Sequence, residues 1–113
     1  VSTSSRKGYS AEHALELALK ACGYPLVYRP RAGAHDDVGD IGGLPVVVSV
    51  KNHRELRLAE WIDAAVAMGD REDKLAVVWH KRRAHSSPYE WYVSMDGQTF
   101  LNFLRAYDDG RRR

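Results

Sequence analysis

From Leu44 to Lys51 the chain reads Leu-Pro-Val-Val-Val-Ser-Val-Lys, an apolar run that closes on a cation. Strand periodicity places Val46, Val48 and Val50 on one face and Val47, Ser49 and Lys51 on the other. An ammonium at the end of such a run must reach water or an anion. Upstream, Gly42-Gly43 reads as the turn of a hairpin whose first arm is Val38 to Ile41, and this pairing brings Asp40 beside Lys51. An acid and a lysine converging at a sheet end form a candidate site for a metal and a phosphate. An edge strand that simply ends at Lys51, with Asp40 as an ordinary turn acid, fits the spacing equally well.

The remaining periodicity frames that strand with helices. Ala11, Leu15, Ala18, Leu19 and Cys22 recur at helical spacing, which predicts a helix over Ser10 to Cys22, with Ser10 as N-cap and Gly23 just past its end. Pro25 to Pro30 reads as a short strand. Leu58, Trp61, Ile62, Ala65 and Val66 form the stripe of a second helix, Leu58 to Met68, closed by Gly69. Lys74 to His80 and Glu90 to Met95 read as further strands. Asp96 is placed to cap a last helix carrying Phe100, Leu101, Phe103, Leu104 and Tyr107. The expected architecture is α/β, a central mixed sheet of about five strands flanked by helices. It forms a single domain over residues 1–113, with 1–7 and 109–113 flexible.

Composition bounds what such a domain does. Its 113 residues are 44% hydrophobic and 28% charged, enough for a core and too charged for a membrane protein. No apolar stretch approaches a spanning helix and no secretory leader is visible, so a cytoplasmic setting is expected. The chain opens on Val1, as expected after trimming or processing of an initiator. Single Cys22 excludes an internal disulfide framework. The net charge of +2 conceals segregation: residues 58–73 carry −4 and residues 74–113 carry +4. Twelve of the seventeen basic residues are arginine, the side chain best shaped for phosphate, as in a polyanion binder with a local acidic site.

Glu12 on the first helix, Asp40 at the hairpin and the strand ending Ser49-Val50-Lys51 together resemble the PD-(D/E)XK nucleases. The stretch Gly39-Asp40-Ile41-Gly42-Gly43-Leu44-Pro45-Val46-Val47-Val48-Ser49-Val50-Lys51-Asn52 is most similar to the small Holliday junction resolvases of archaea and phages, and the element order extends the resemblance over nearly the whole chain. The resemblance implies a restriction-endonuclease-like fold and a metal-dependent endodeoxyribonuclease acting on four-way DNA. Glu12 and Asp40 would hold Mg²⁺ or Mn²⁺, the backbone carbonyl of Val50 would add an oxygen, and Lys51 would orient or polarise the attacking water. It also implies a homodimer, since one domain of this size cannot span a junction and cut it symmetrically. A phage protein would act in the host cytoplasm.

Ser49 departs from that family, which carries Glu or Asp two residues before the lysine. Some related restriction enzymes show Ser-x-Lys with the acid supplied from the following helix, a part open to Glu60 ahead of Asp63, whereas Glu55 falls before the helix. The alternatives are a position substituted to disable the enzyme and a natural DNA binder without turnover. A protein-interaction module is the reading from another class.

DNA contact is expected from Arg29 and Arg31, from Asn52, His53, Arg54 and Arg57 after the lysine, and from the basic turn Lys81, Arg82 and Arg83. Asp36 and Asp37 read as turn acids near the site. His35, His53 and His80 lack zinc-ligand spacing, the serines lack a partner base, and Gly39-x-x-Gly42-Gly43 is not a nucleotide-binding loop.

Overall fold

The computed structural model describes residues 3–31 and 39–112. Three helices, α1 (Thr3–Ala21), α2 (Leu58–Glu72) and α3 (Gly97–Arg111), accompany three strands, β1 (Val47–Lys51), β2 (Ala76–His80) and β3 (Tyr92–Ser94), with a 3-10 turn at Pro88–Glu90. The sheet order is β1-β2-β3. β1 and β2 run parallel with Val47 beside Ala76 and Lys51 beside His80, and β3 pairs antiparallel with β2. The chain is therefore α/β with a mixed sheet, as expected, but among the described residues the sheet has three strands and not five.

Alternation along β1 and β2 splits the core into two layers. Val48, Val50 and Val77 pack with Ala11, Leu15 and Leu19 of α1, and Ile41 and Trp91 join them. On the opposite face Val47, Ala76 and Val78 pack with Trp61 and Ala65 of α2. A helix lies on each side because a central strand buried on both faces requires two covers.

The two absent strands are single bridges. Tyr28 and Gly42 exchange N–H···O bonds of 3.2 and 2.8 Å, and nothing extends the pairing between Pro25 and Pro30, where each proline lacks a donor. The expected hairpin of Val38–Ile41 with Leu44–Lys51 does not form as a ladder. Gly39 and Ile41 both bridge to Val48, so the described part of this segment curls around one residue of β1. Gly39 makes the curl possible: its φ is 85°, and a Cβ there would lie 2.7 Å from the Val48 carbonyl oxygen.

Helix boundaries also move. α1 begins at Thr3, so Ser10 is inside the helix and is not its N-cap, and most of the stretch 1–7 expected to fray is helical. The added turns are tied down where the Asn52 side chain donates to the Lys7 carbonyl at 3.1 Å and Arg29 covers the Tyr9 ring at 4.3 Å. Gly23 has the positive φ expected of it, and Tyr24 N–H closes the helix end onto Leu19 O at 3.0 Å. Gly69 does not end α2, which continues to Glu72 and stops at left-handed Asp73. α3 starts as expected, with Asp96 accepting from Thr99 N–H at 2.8 Å, but it runs through Asp109 to Arg111, where a flexible tail was expected. No helix among the described residues is long and apolar enough to cross a membrane.

Candidate functional site

The site is built at the carboxyl ends of β1 and β2. Residues of β1 send N–H and C=O alternately to the two sides of the strand. Val47 N–H donates to Leu75 O toward β2, and Lys51 O accepts from Lys81 N–H at 2.8 Å. Val48 and Val50 face the other way, where Val48 O accepts from Asp40 N–H at 2.9 Å. Val50 N–H donates to Asp40 Oδ2 at 2.6 Å, a charge-assisted bond that fixes the carboxylate against the strand. By the same alternation the Val50 carbonyl opens on this edge, beside Asp40.

Glu12 reaches that edge from α1. Its carboxyl lies close to that of Asp40 and feels the positive charges of Arg29 and Lys51. Burial, and next the Asp40 carboxylate, push Glu12 above its ordinary value, against the pull of Arg29 and Lys51. The two carboxyl groups therefore lie close together, with Glu12 biased toward its protonated form. Glu12, Asp40 and Val50, drawn from three separated stretches of sequence, thus meet on one edge of β1, and Lys51, on the α2 face of the same strand, adds its positive charge from the strand end.

Ser49 and Glu60 lie elsewhere. Strand alternation puts Ser49 with Lys51 on the α2 face of β1. Glu60, in the first turn of α2, is 70% exposed and pairs with Arg57 at 3.7 Å. It faces Lys51 across a cavity of about 550 Å³ also lined by His53, Arg54 and Trp61. Among the described residues no third His, Cys, Asp or Glu side chain joins Glu12 and Asp40. Glu60 and Asp63 therefore stand apart from the carboxylate pair. Asp36, Asp37 and His35 lie outside the described residues.

The expected DNA-contact residues divide into engaged and open cations. Arg29 Nε donates to Glu16 at 3.0 Å and its guanidinium covers Tyr9, so it braces α1 from within the fold. Arg57 pairs with both Glu55 and Glu60. Arg82 lies over the Tyr92 ring at 5.2 Å. Arg31 is exposed, at the end of the described segment. Asn52, His53, Arg54, Lys81 and Arg83 line one further cavity with Lys7, which the sequence reading had set in a frayed terminus.

A row of rings that the sequence reading missed crosses the α2 face behind Lys51. His53 meets Trp61 at 5.4 Å, Trp61 meets His80 at 6.1 Å, and His80 meets Tyr92 at 6.0 Å between centroids. His80 is bound to Ser94 Oγ at 2.7 Å, and burial holds its imidazole below the usual histidine value. The only sequence signal for this row was the register that sets His80 beside Lys51, which requires knowing the strand pairing.

Family models, curated proteins and solved structures contain no match to this chain.

Proposed function

We propose that the protein is a divalent-metal-dependent, structure-selective DNA endonuclease, and that four-way junctions are its substrate. The observation that carries this reading is the meeting of Glu12, Asp40, the Val50 carbonyl edge and Lys51 at the ends of parallel strands, where ligand sites of α/β sheets form. The donor set suits Mg²⁺ or Mn²⁺: two carboxylates and a carbonyl are hard oxygens, and Mg²⁺ is commonly held by one or two carboxylates plus water and substrate phosphate. Such an ion, when bound, supplies a water of lowered pKa and neutralises charge on the phosphate under attack.

The chain's own residues provide the rest. Asp40 is oriented by the Val50 N–H, and Glu12 faces it from α1. Lys51 brings a fixed positive charge to the pair, where negative charge develops as a phosphodiester is attacked in line. The surrounding Lys and Arg side chains hold backbone phosphates without reading bases, which suits recognition of DNA shape.

A junction presents two strands to be cut, so we assign the protein a two-fold dimer formed through α3. This helix is fixed by buried Thr99 and half-buried Phe103, while every side chain from Leu104 to Arg112 is exposed. Phe100, Leu104 and Tyr107 share one stripe and are 54%, 47% and 65% exposed. Antiparallel pairing about Leu104 sets the helix dipoles against each other and brings Asp96 of one copy opposite Arg112 of the other.

Ser49 and the two-carboxylate set favour one second reading, a nuclease-fold DNA binder without turnover. Incubation of a synthetic four-way junction and a linear duplex of equal sequence with Mg²⁺ or Mn²⁺ separates the two. Nicking confined to the junction supports the endonuclease; a shifted but uncut junction under both ions supports the binder, and no binding to either DNA removes both.

A further inference from the structure

A cavity of about 310 Å³ opens beside Lys51, between the first turns of α1, the segment after β1 and the turn after β2. Four cations line it, Lys7, Arg54, Lys81 and Arg83, together with Asn52 and His53, and among the described residues no carboxylate does. Several cations elsewhere are neutralised, Lys20 and Arg29 by Glu16, Arg57 by Glu55 and Glu60, Arg112 by Asp108. Among the described residues, none of the four cavity cations takes part in an ion pair. Grouped cations without a counter-charge focus a positive potential that attracts an anion.

The walls are held in place. Asn52 ties the α1 wall through Lys7 O at 3.1 Å, and Lys81 N–H is fixed to Lys51 O at 2.8 Å. The turn carrying Arg83 is closed by His85 N–H on Arg82 O. Below it, the indole N–H of Trp91 donates to His85 O at 2.7 Å and that of Trp79 donates to Pro88 O at 3.1 Å. Ala84 sits at φ 65°, a left-handed conformation that a non-glycine residue adopts only at an energetic cost. A turn that keeps such a residue and uses two tryptophans as struts is built to hold its cations in one arrangement.

We infer that this cavity is a phosphate-binding site distinct from the Glu12–Asp40 pair, and that it takes a phosphate of the nucleic acid strand whose neighbouring linkage lies at Lys51. Its role in cleavage rests on the endonuclease reading; its binding of phosphate does not. The phosphate is supplied by a backbone diester or by a strand's 5′ end, and the chemistry of the two is shared.

Calorimetric titration of the metal-free protein with inorganic pyrophosphate tests the site, using wild type, Lys81→Gln/Arg83→Gln, Asp40→Asn and, as a paired cation elsewhere, Lys20→Gln. Saturable binding in wild type, Asp40→Asn and Lys20→Gln, weakened at least about tenfold in the double variant with its thermal melting unchanged, is the expected result. Equal binding by wild type and the double variant, or none by wild type, overturns the site. Anisotropy on a junction should also show the slope of log affinity against log salt falling by roughly one per cation removed. An unchanged slope likewise contradicts the proposal. A 5′-phosphorylated and a 5′-hydroxyl single strand distinguish the sources: equal affinity assigns the backbone diester, and preference for the former assigns the strand end. Pyrophosphate binding without junction cleavage would leave the site standing while the endonuclease reading fails.

Discussion

At the scale of single residues the site depends on where one carboxylate is anchored. Asp40 is bound both through its backbone, to Val48, and through its side chain, to Val50 N–H. Asp40→Ala removes a charge-assisted acceptor from a strand amide, so a loss of about 1–2 kcal/mol in unfolding free energy is expected by denaturant titration, in addition to loss of activity. Glu60 is placed differently. Because it is exposed, paired with Arg57 and outside the carboxylate pair, Glu60→Gln should change junction cleavage by less than about threefold. A loss of a hundredfold would return it to the role that the Ser49 substitution suggested. Lys51 at the end of β1 was legible from strand periodicity, whereas Asp40 reaches β1 through a curl around Val48 and not through the hairpin that Gly42-Gly43 suggested. Glu12's partnership with Asp40 came only from the family resemblance, since α1 and β1 are far apart along the chain. The engagement of Arg29 with Glu16 and Tyr9 was hidden for the same reason.

At the scale of elements, the helices and the two parallel strands were readable because their apolar spacing is long enough to define a period. The segments around residues 28 and 41 were not, since they contribute only isolated bridges and their glycines are chosen for close approach rather than for a tight hairpin. Gly69 shows the same ambiguity: it looks like a helix stop, yet it is a contact. A Cβ there would lie 2.5 Å from Lys74 O and 3.0 Å from Ala76 Cβ, so Gly69→Ala should destabilise the fold by about 1–3 kcal/mol despite its gain in helix propensity. His80 gives the α2 face a pH dependence. It faces Trp61 of α2, Tyr92 and Ser94 of β3, and stands beside Lys51 of β1. Because burial lowers its value in the folded protein, the unfolded chain binds more protons below the ordinary histidine value of 6.5. Stability should therefore fall as pH drops from about 6.5 toward the lower folded value, and His80→Gln should flatten the decline of melting temperature over that window. An unchanged decline in the variant would place the effect elsewhere.

At the scale of the whole molecule, the overall +2 resolves into a spatial arrangement. Open cations gather around the ends of β1 and β2, and most acids of α2 sit on its solvent side. The domain measures 48 × 29 × 29 Å, with a radius of gyration of 14.2 Å, small against a four-way junction. A dimer through α3 is expected to run at twice the chain mass in sedimentation equilibrium, and Leu104→Glu should convert it to monomer while leaving the melting of the chain itself cooperative. A wild-type monomer at high concentration would remove α3 from that role. The exposure of the α3 stripe could not be read from sequence, because its spacing is equally that of a helix packed on the core.

The central claim is that Glu12, Asp40 and Lys51 form a hydrolytic centre on a DNA-binding scaffold. Cleavage of a four-way junction in Mn²⁺ by wild type, Asp40→Ala and Lys51→Ala, with junction affinity measured in parallel, tests it most directly. Wild-type nicking that falls at least about a hundredfold in each variant, with binding retained within a few-fold, is the predicted result. Undiminished nicking in both variants would contradict it.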